Sequence, residues 1–153
     1  MSKFGNVQMV TDSVGGKLCN FRSKLEYRWA LWCEFRKQHG IITDWWHEDP
    51  ESIMEYEVEH TKYTAVKNYI PDFTIQIGDD FEYEETKGHF TAKDAKKLKK
   101  IAQKYDNPLI LIFANLKNTP SRRAQFNRAK KIEPYLKRII YDAEKTIFKK
   151  IGI

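Results

Sequence analysis

Long apolar runs are missing from this chain of 153 residues: no stretch approaches the roughly 18–20 apolar residues that span a membrane as a helix. No membrane partner is therefore expected. The opening MSKFGNVQMVTDSVGG contains no apolar signal core, so a cytoplasmic location is expected. Cysteine is scarce. Cys19 and Cys33 are the only two, 14 positions apart, and Cys33 falls in an apolar helical pattern. Two reduced thiols are the expectation, rather than a disulfide framework or a metal site. The four histidines, His39, His47, His60 and His89, have no zinc-type spacing. Internal repeats and low-complexity tracts are also absent. The 41% apolar and 14% aromatic residues suffice for the core of one compact domain.

Positive charge is unevenly placed. The net charge is +6, yet residues 117–153 hold eleven Lys/Arg against three acids, which leaves residues 1–116 at −2. A second basic cluster runs from Lys93 to Lys104. Such clustering fits a polyanionic partner such as nucleic acid; a solvated helix face with surplus lysine fits the charge equally well.

Hydrophobic periodicity divides the chain. Residues 1–20 are Gly-rich and polar and read as a flexible N-terminal arm. Phe21–His39 has helical spacing through Phe21, Leu25, Trp29, Trp32 and Phe35 or Arg36, with Gly40 as the stop. A strand is expected within Ser52–Glu59. Tyr69–Ile77 and Phe81–Thr86 read as two strands of a hairpin turned at Gly78-Asp79-Asp80. Thr91 and Asp94 mark the start of a helix that ends at Asn107-Pro108. PLILIFAN, from Pro108 to Asn115, reads as a buried strand. Arg122–Lys150 has a helical pattern broken near Pro134, giving a basic helical extension over residues 117–153 packed on the rest. The resulting class is α/β, a mixed β-sheet flanked by helices with a basic helical C-terminal segment. Trp45 and Trp46 suit packing under the sheet better than stacking on unpaired bases.

The hairpin gathers Asp72, Asp79, Asp80, Glu82, Glu84 and Glu85 around a single cation, Lys87. Acids are depleted in strands, so the cluster calls for a cause. Strand alternation places Glu85 and Lys87 on one face with Phe81 and Tyr83, and Glu82, Glu84 and Thr86 on the other. A turn near Gly78–Asp80 folds Asp72 back toward Glu85. Two carboxylates that close repel unless a cation neutralises them, and Mg2+ does so through one or two carboxylates plus water and phosphate oxygens. A lysine beside the ion can orient water or stabilise charge on phosphorus. Glu26, next to Leu25 on the first helix, can approach from the opposite wall.

Three blocks in order, FRSKLE (Phe21–Glu26), YIPDF (Tyr69–Phe73) and ETKG (Glu85–Gly88), resemble the PD-(D/E)xK nuclease superfamily and, within it, the phage endonuclease I-type Holliday junction resolvases. The likeness covers about residues 21–115 and implies a nuclease core over residues 21–116 with a restriction-endonuclease-like fold. It also implies a metal-dependent DNA endonuclease acting on branched DNA as a homodimer, phage-encoded and working in the host cytoplasm. Carried over, it makes Glu26, Asp72, Glu85 and Lys87 catalytic. Asp72, Glu85, the Thr86 carbonyl and Glu26 would hold one or two Mg2+ ions, with Mn2+ substituting, and Lys87 would position the attacking water. Glu84, directly before Glu85, competes with it as the ligand. Glu48 is assigned at most a supporting role. Arg22, Lys24, Lys93, Lys97, Lys100, Arg122 and Arg123 are the expected DNA contacts, with Lys97 nearest the scissile phosphate. The alternatives are a nuclease of the same fold on another substrate (single strand, nicking or restriction-type) and a catalytically silent nucleic-acid-binding module.

Overall fold

The computed structural model describes residues 9–106 and 108–153. Residues 1–8 of the expected arm, and Asn107 of the expected helix stop, lie outside them. The centre is a five-stranded mixed sheet. Its strands are β3 (Asp44–His47), β6 (Phe73–Ile77), β7 (Asp80–Lys87), β8 (Leu109–Phe113) and β9 (Arg138–Ile140), adjacent in that order. The pairs β3–β6 and β6–β7 are antiparallel; β7–β8 and β8–β9 are parallel. Helix α1 (Lys24–Gln38) covers one face. Helices α2 (Ala92–Lys104) and α3 (Arg123–Ile132) cover the other. The mixed α/β class expected from the sequence is observed.

Strand β8 shows how the layers are held. Ile110 and Ile112 join the α1-side core with Trp29, Trp45 and Phe148, while Leu109, Leu111 and Phe113 join the α2-side core with Leu98 and Ile101. A strand buried on both faces has no polar alternation, so LILIF reads as a continuous apolar run. Trp45 is fully buried, in line with the packing role expected for it, and Trp46 is half-buried.

Four expectations change. The predicted arm is, from Val10 onward, a hairpin of β1 (Val10–Val14) and β2 (Lys17–Phe21), and Val14 and Phe21 are buried against α1. Gly15 and Gly16 turn it at φ +57° and +78°; they mark a tight turn and not a loose arm. A Cβ on Gly15 would also collide with the Glu34 carboxylate, which Trp45 Nε1 holds at 2.9 Å. Gly15→Ala is accordingly expected to cost about 1–3 kcal/mol, read as a lower urea midpoint with unchanged slope. A midpoint equal to the parent's would contradict this placement of the hairpin.

Helix α1 starts three residues later than Phe21, because Ser23 accepts from the Glu26 N–H at 3.1 Å and caps it. Its buried face is Glu26, Trp29, Ala30, Cys33 and Arg36, two of them charged. The single expected strand Tyr69–Ile77 is divided at Ile70-Pro71-Asp72. The residues before the break belong to β5 (Thr64–Tyr69), which pairs with β4 (Met54–Glu59) in a separate two-stranded ribbon. Pro71 has no N–H to donate to a ladder, which favours the break there.

The C-terminal segment is not wholly helical. Pro134 does end α3, in a 3-10 turn at Glu133–Tyr135, but the chain then forms β9, the parallel edge strand beside β8. Ile139 and Ile140 lie opposite Leu111 and Ile112. The spacing of basic residues hid a three-residue strand. Residues 117–153 therefore contribute to the central sheet instead of only packing on it. Helical turns resume at Glu144–Phe148 and Lys149–Ile151.

Candidate active site

The β6–β7 register decides which carboxylates meet. Phe73 lies opposite Glu84, so Asp72, one residue earlier, falls beside Glu85. The Asp72 N–H donates to Glu85 Oε1 at 3.0 Å. Asp72 Oδ2 in turn accepts from the Thr86 N–H at 2.9 Å and the Thr86 hydroxyl at 2.8 Å. Each carboxylate keeps one oxygen, Asp72 Oδ1 and Glu85 Oε2, that accepts no hydrogen bond among the described residues. Lys87 Nζ lies 3.8 Å from Glu85 Oε2 and donates to Asp94 Oδ1 at 3.3 Å. A cavity of about 510 Å3 opens here, and Arg22, Glu26, Asp72, Glu85, Thr86, Lys87 and Lys97 all line it. The loop residue His89 lines it as well.

Glu84 is not the competitor that its position suggested. It points to the opposite face and is fully buried, accepting from Trp29 Nε1 at 2.9 Å and from Arg36 Nη1 and Nη2 at 3.0 and 2.7 Å. Strand alternation alone separates the two neighbours: Glu84 faces α1, and Glu85 faces the cavity.

Burial dominates the electrostatics. It raises the Glu85 carboxyl to about 8, with the Asp72 charge adding to the rise and Lys87 and Lys97 opposing it. Asp72 is raised for the same reasons, burial first and then the Glu26 charge. Two buried carboxyl groups that hold protons above their ordinary range form a site in want of positive charge. Hard carboxylate oxygens are the donors that Mg2+ takes, so these residues fit that ion.

Glu26 is engaged on both oxygens. Oε2 accepts the Arg22 N–H at 2.8 Å, and Oε1 lies 2.7 Å from His47 Nε2. Arg22 Nη2 pairs with Glu48 Oε1 at 2.8 Å, and His47 Nε2 is 3.9 Å from that same oxygen. Glu26, His47 and Glu48 thus offer one nitrogen and two oxygens within 4.8 Å of one another, a donor set that can hold a metal ion. His47 joins the site without being expected there, and Glu48, expected in a supporting role at most, belongs to the same donor set. The signal available was strand alternation in DWWH: Trp45 and His47 share a face. Only the pairing of His47 with Phe73, and the Glu48 N–H donating to the Asp72 carbonyl at 2.9 Å, bring them to the site.

The expected DNA contacts divide. Arg22 and Lys97 line the cavity. Lys24 and Lys93 are exposed in the first turns of α1 and α2 and do not. Lys100 Nζ donates to the Glu57 carbonyl of β4 at 2.7 Å. Arg122 donates to the Asn115 carbonyl at 2.6 Å and Arg123 to Asn118 Oδ1 at 3.2 Å, both away from the cavity. Thr86, expected to act through its carbonyl, shows a second contact: its hydroxyl and N–H hold Asp72. Among the described residues, no helix is long and apolar enough to cross a membrane. Comparison of the chain with family models, with curated proteins and with solved structures finds no match.

Proposed function

We propose that this chain is a Mg2+-dependent endodeoxyribonuclease with a restriction-endonuclease-like core, of the PD-(D/E)xK type that resolves branched DNA. The observation that carries the reading is the convergence of Asp72, Glu85 and Lys87, with Glu26 opposite them, in one cavity. Two adjoining buried carboxylates with one lysine, Lys87, within 4.0 Å form a poor structural ion pair and a good divalent-cation site. A bound Mg2+ supplies Lewis acidity and eases deprotonation of water. Asp72 and Glu85 would hold it, and Thr86 keeps Asp72 oriented. Lys87 is anchored beside Glu85, where a water aligned for in-line attack on phosphorus would sit. Glu26, His47 and Glu48 would hold a second ion. Arg22, at the rim, and the basic first turns of α1 and α2 would bind backbone phosphates. Two symmetric cuts in a junction call for two copies of this site, so the working form is a C2 homodimer.

A cleavage panel tests this reading. Four-way junction, flap, single strand and plain duplex are each incubated with the protein in Mg2+ and in EDTA. The junction is expected to be cut fastest, by about 10-fold or more over duplex, with no cleavage in EDTA. Equal rates on all four substrates would replace the junction with a different DNA substrate. No cleavage of any would leave a nucleic-acid-binding module.

A further inference from the structure

The end of β7 and the first two turns of α2 bring two lysines to the cavity, and their surroundings differ. Lys87 is committed within the protein, to Asp94 at 3.3 Å and Glu85 at 3.8 Å. Asp94 is itself fixed: its carboxylate accepts from the Thr91 N–H at 3.0 Å, and its own N–H donates to Thr91 Oγ1 at 3.0 Å. The Lys87 ammonium is therefore tied to the start of α2.

Lys97 stands three residues beyond Asp94 and lines the same cavity. It is half-buried, and its ammonium lies 5.2 Å from the centroid of the Tyr69 ring. Among the described residues, no carboxylate oxygen comes within 4.0 Å of it. Burial first, and then the nearby Lys87 charge, push its pKa down, and the more distant charges of Glu85, Asp94 and Asp72 only partly offset them. A partly desolvated cation without a close counter-ion is unfavourable, and an arriving anion relieves it.

We propose that Lys97 is a further catalytic residue, which grips a non-bridging oxygen of the scissile phosphate while Lys87 stays with Asp94 and Glu85 on the side of the attacking water. The assignment rests on the nuclease reading above. As the attacking oxygen bonds to phosphorus, charge is pushed onto the non-bridging oxygens, while the pair from the breaking bond leaves with the departing oxygen, so the grip on a non-bridging oxygen tightens in the transition state. The ammonium acts as a compact point charge, which a guanidinium replaces only in part.

The test uses the full chain, Lys97→Met, Lys97→Arg, and Lys96→Met, whose lysine is exposed and outside the cavity. Single-turnover cleavage in Mg2+ is measured on whichever substrate of the panel the parent cuts, and binding of that DNA is measured in Ca2+. Lys97→Met is expected to slow cleavage about 100-fold. Its Kd should rise by less than about 10-fold, because one phosphate contact among many is lost. Lys97→Arg should recover part of the rate, and Lys96→Met should change it by less than about 3-fold. Melting temperatures are recorded for each variant. If Lys97→Met and Lys97→Arg are equally slow and both melt lower than the parent, the loss is one of fold and the proposal falls. It also falls if Lys97→Met keeps pace with the parent, or if Lys96→Met slows as much. A parent that cuts no substrate overturns the nuclease reading and this assignment together; a parent that cuts alongside an unimpaired Lys97→Met overturns this assignment alone.

Discussion

Asp72→Asn is expected to reduce Mg2+-dependent cleavage by at least about 10³-fold while leaving the metal-free protein more stable at pH 8 than the parent. The two effects have one origin. Asp72 and Glu85 are buried side by side, and an uncharged amide at position 72 removes one of the two negative charges. An Asn oxygen can still accept from the Thr86 N–H and hydroxyl, so the local geometry survives.

The sign of the pH effect follows from the proton balance. Glu85 has its carboxyl raised from 4.5 to about 8 in the folded chain. Between those values the folded chain holds a proton that the unfolded chain has released, so stability falls as pH rises through that window. In EDTA the parent should therefore melt lower at pH 8 than at pH 5. Asp72→Asn lessens the repulsion on Glu85 and should flatten that slope. The gain at pH 8 is on the order of 1 kcal/mol, or about 2–4 °C for a chain of this size. Mg2+ should raise the melting temperature of the parent and do so much less for the variant. Thermal melts in EDTA and in Mg2+, run beside the cleavage assay with Lys87→Ala as a second inactive variant, check all of this. A variant that cuts like the parent, or that melts lower at pH 8, would remove Asp72 from the site.

Arg36→Met is expected to be strongly destabilising, at about 3–5 kcal/mol. Glu84 is fully buried, and Arg36 supplies the two guanidinium contacts that neutralise it. Removing the guanidinium leaves a carboxylate in a core of Trp29, Cys33 and Phe73, with only the Trp29 indole N–H at 2.9 Å and the weak Cys33 thiol donor at 3.9 Å close by. The melting temperature should fall by about 10 °C or more. Adding Glu84→Gln to Arg36→Met should restore most of the loss, because the stranded charge goes with it. A double-mutant cycle reads the coupling directly, and a value of about 2 kcal/mol or more is expected. Arg36→Met lying within about 1 kcal/mol of the parent would show that water reaches Glu84 and that the pair is not dry. The pair also bears on the site, since Glu84 held toward α1 keeps Glu85 turned to the cavity.

Several features were legible because they depend on local rules. The α2 cap at Thr91 and Asp94, the buried strand LILIF, the β6–β7 turn at Gly78 and the break at Pro134 are all present. The features that were not legible depend on contacts distant in sequence. The β1–β2 hairpin is ordered by burying Val14 and Phe21 against α1, a gain that a Gly-rich polar stretch does not advertise. Strand β9 is three residues long, too short for any period to show. Glu26 and Arg36 spoil the apolar pattern of α1 because their partners, His47 and Glu84, come from other strands.

From sequence alone, the spacing of Asp72, Glu85 and Lys87 on a hairpin determined that carboxylates and a lysine could meet, because alternation and turn chemistry are local. Tertiary structure decided between Glu84 and Glu85, added His47 and Glu48, bound Lys87 to Asp94 and left Lys97 facing the cavity without a close counter-ion. Those outcomes turn on strand register and on which charges are desolvated together, and both are set only when the sheet and its two helical layers close.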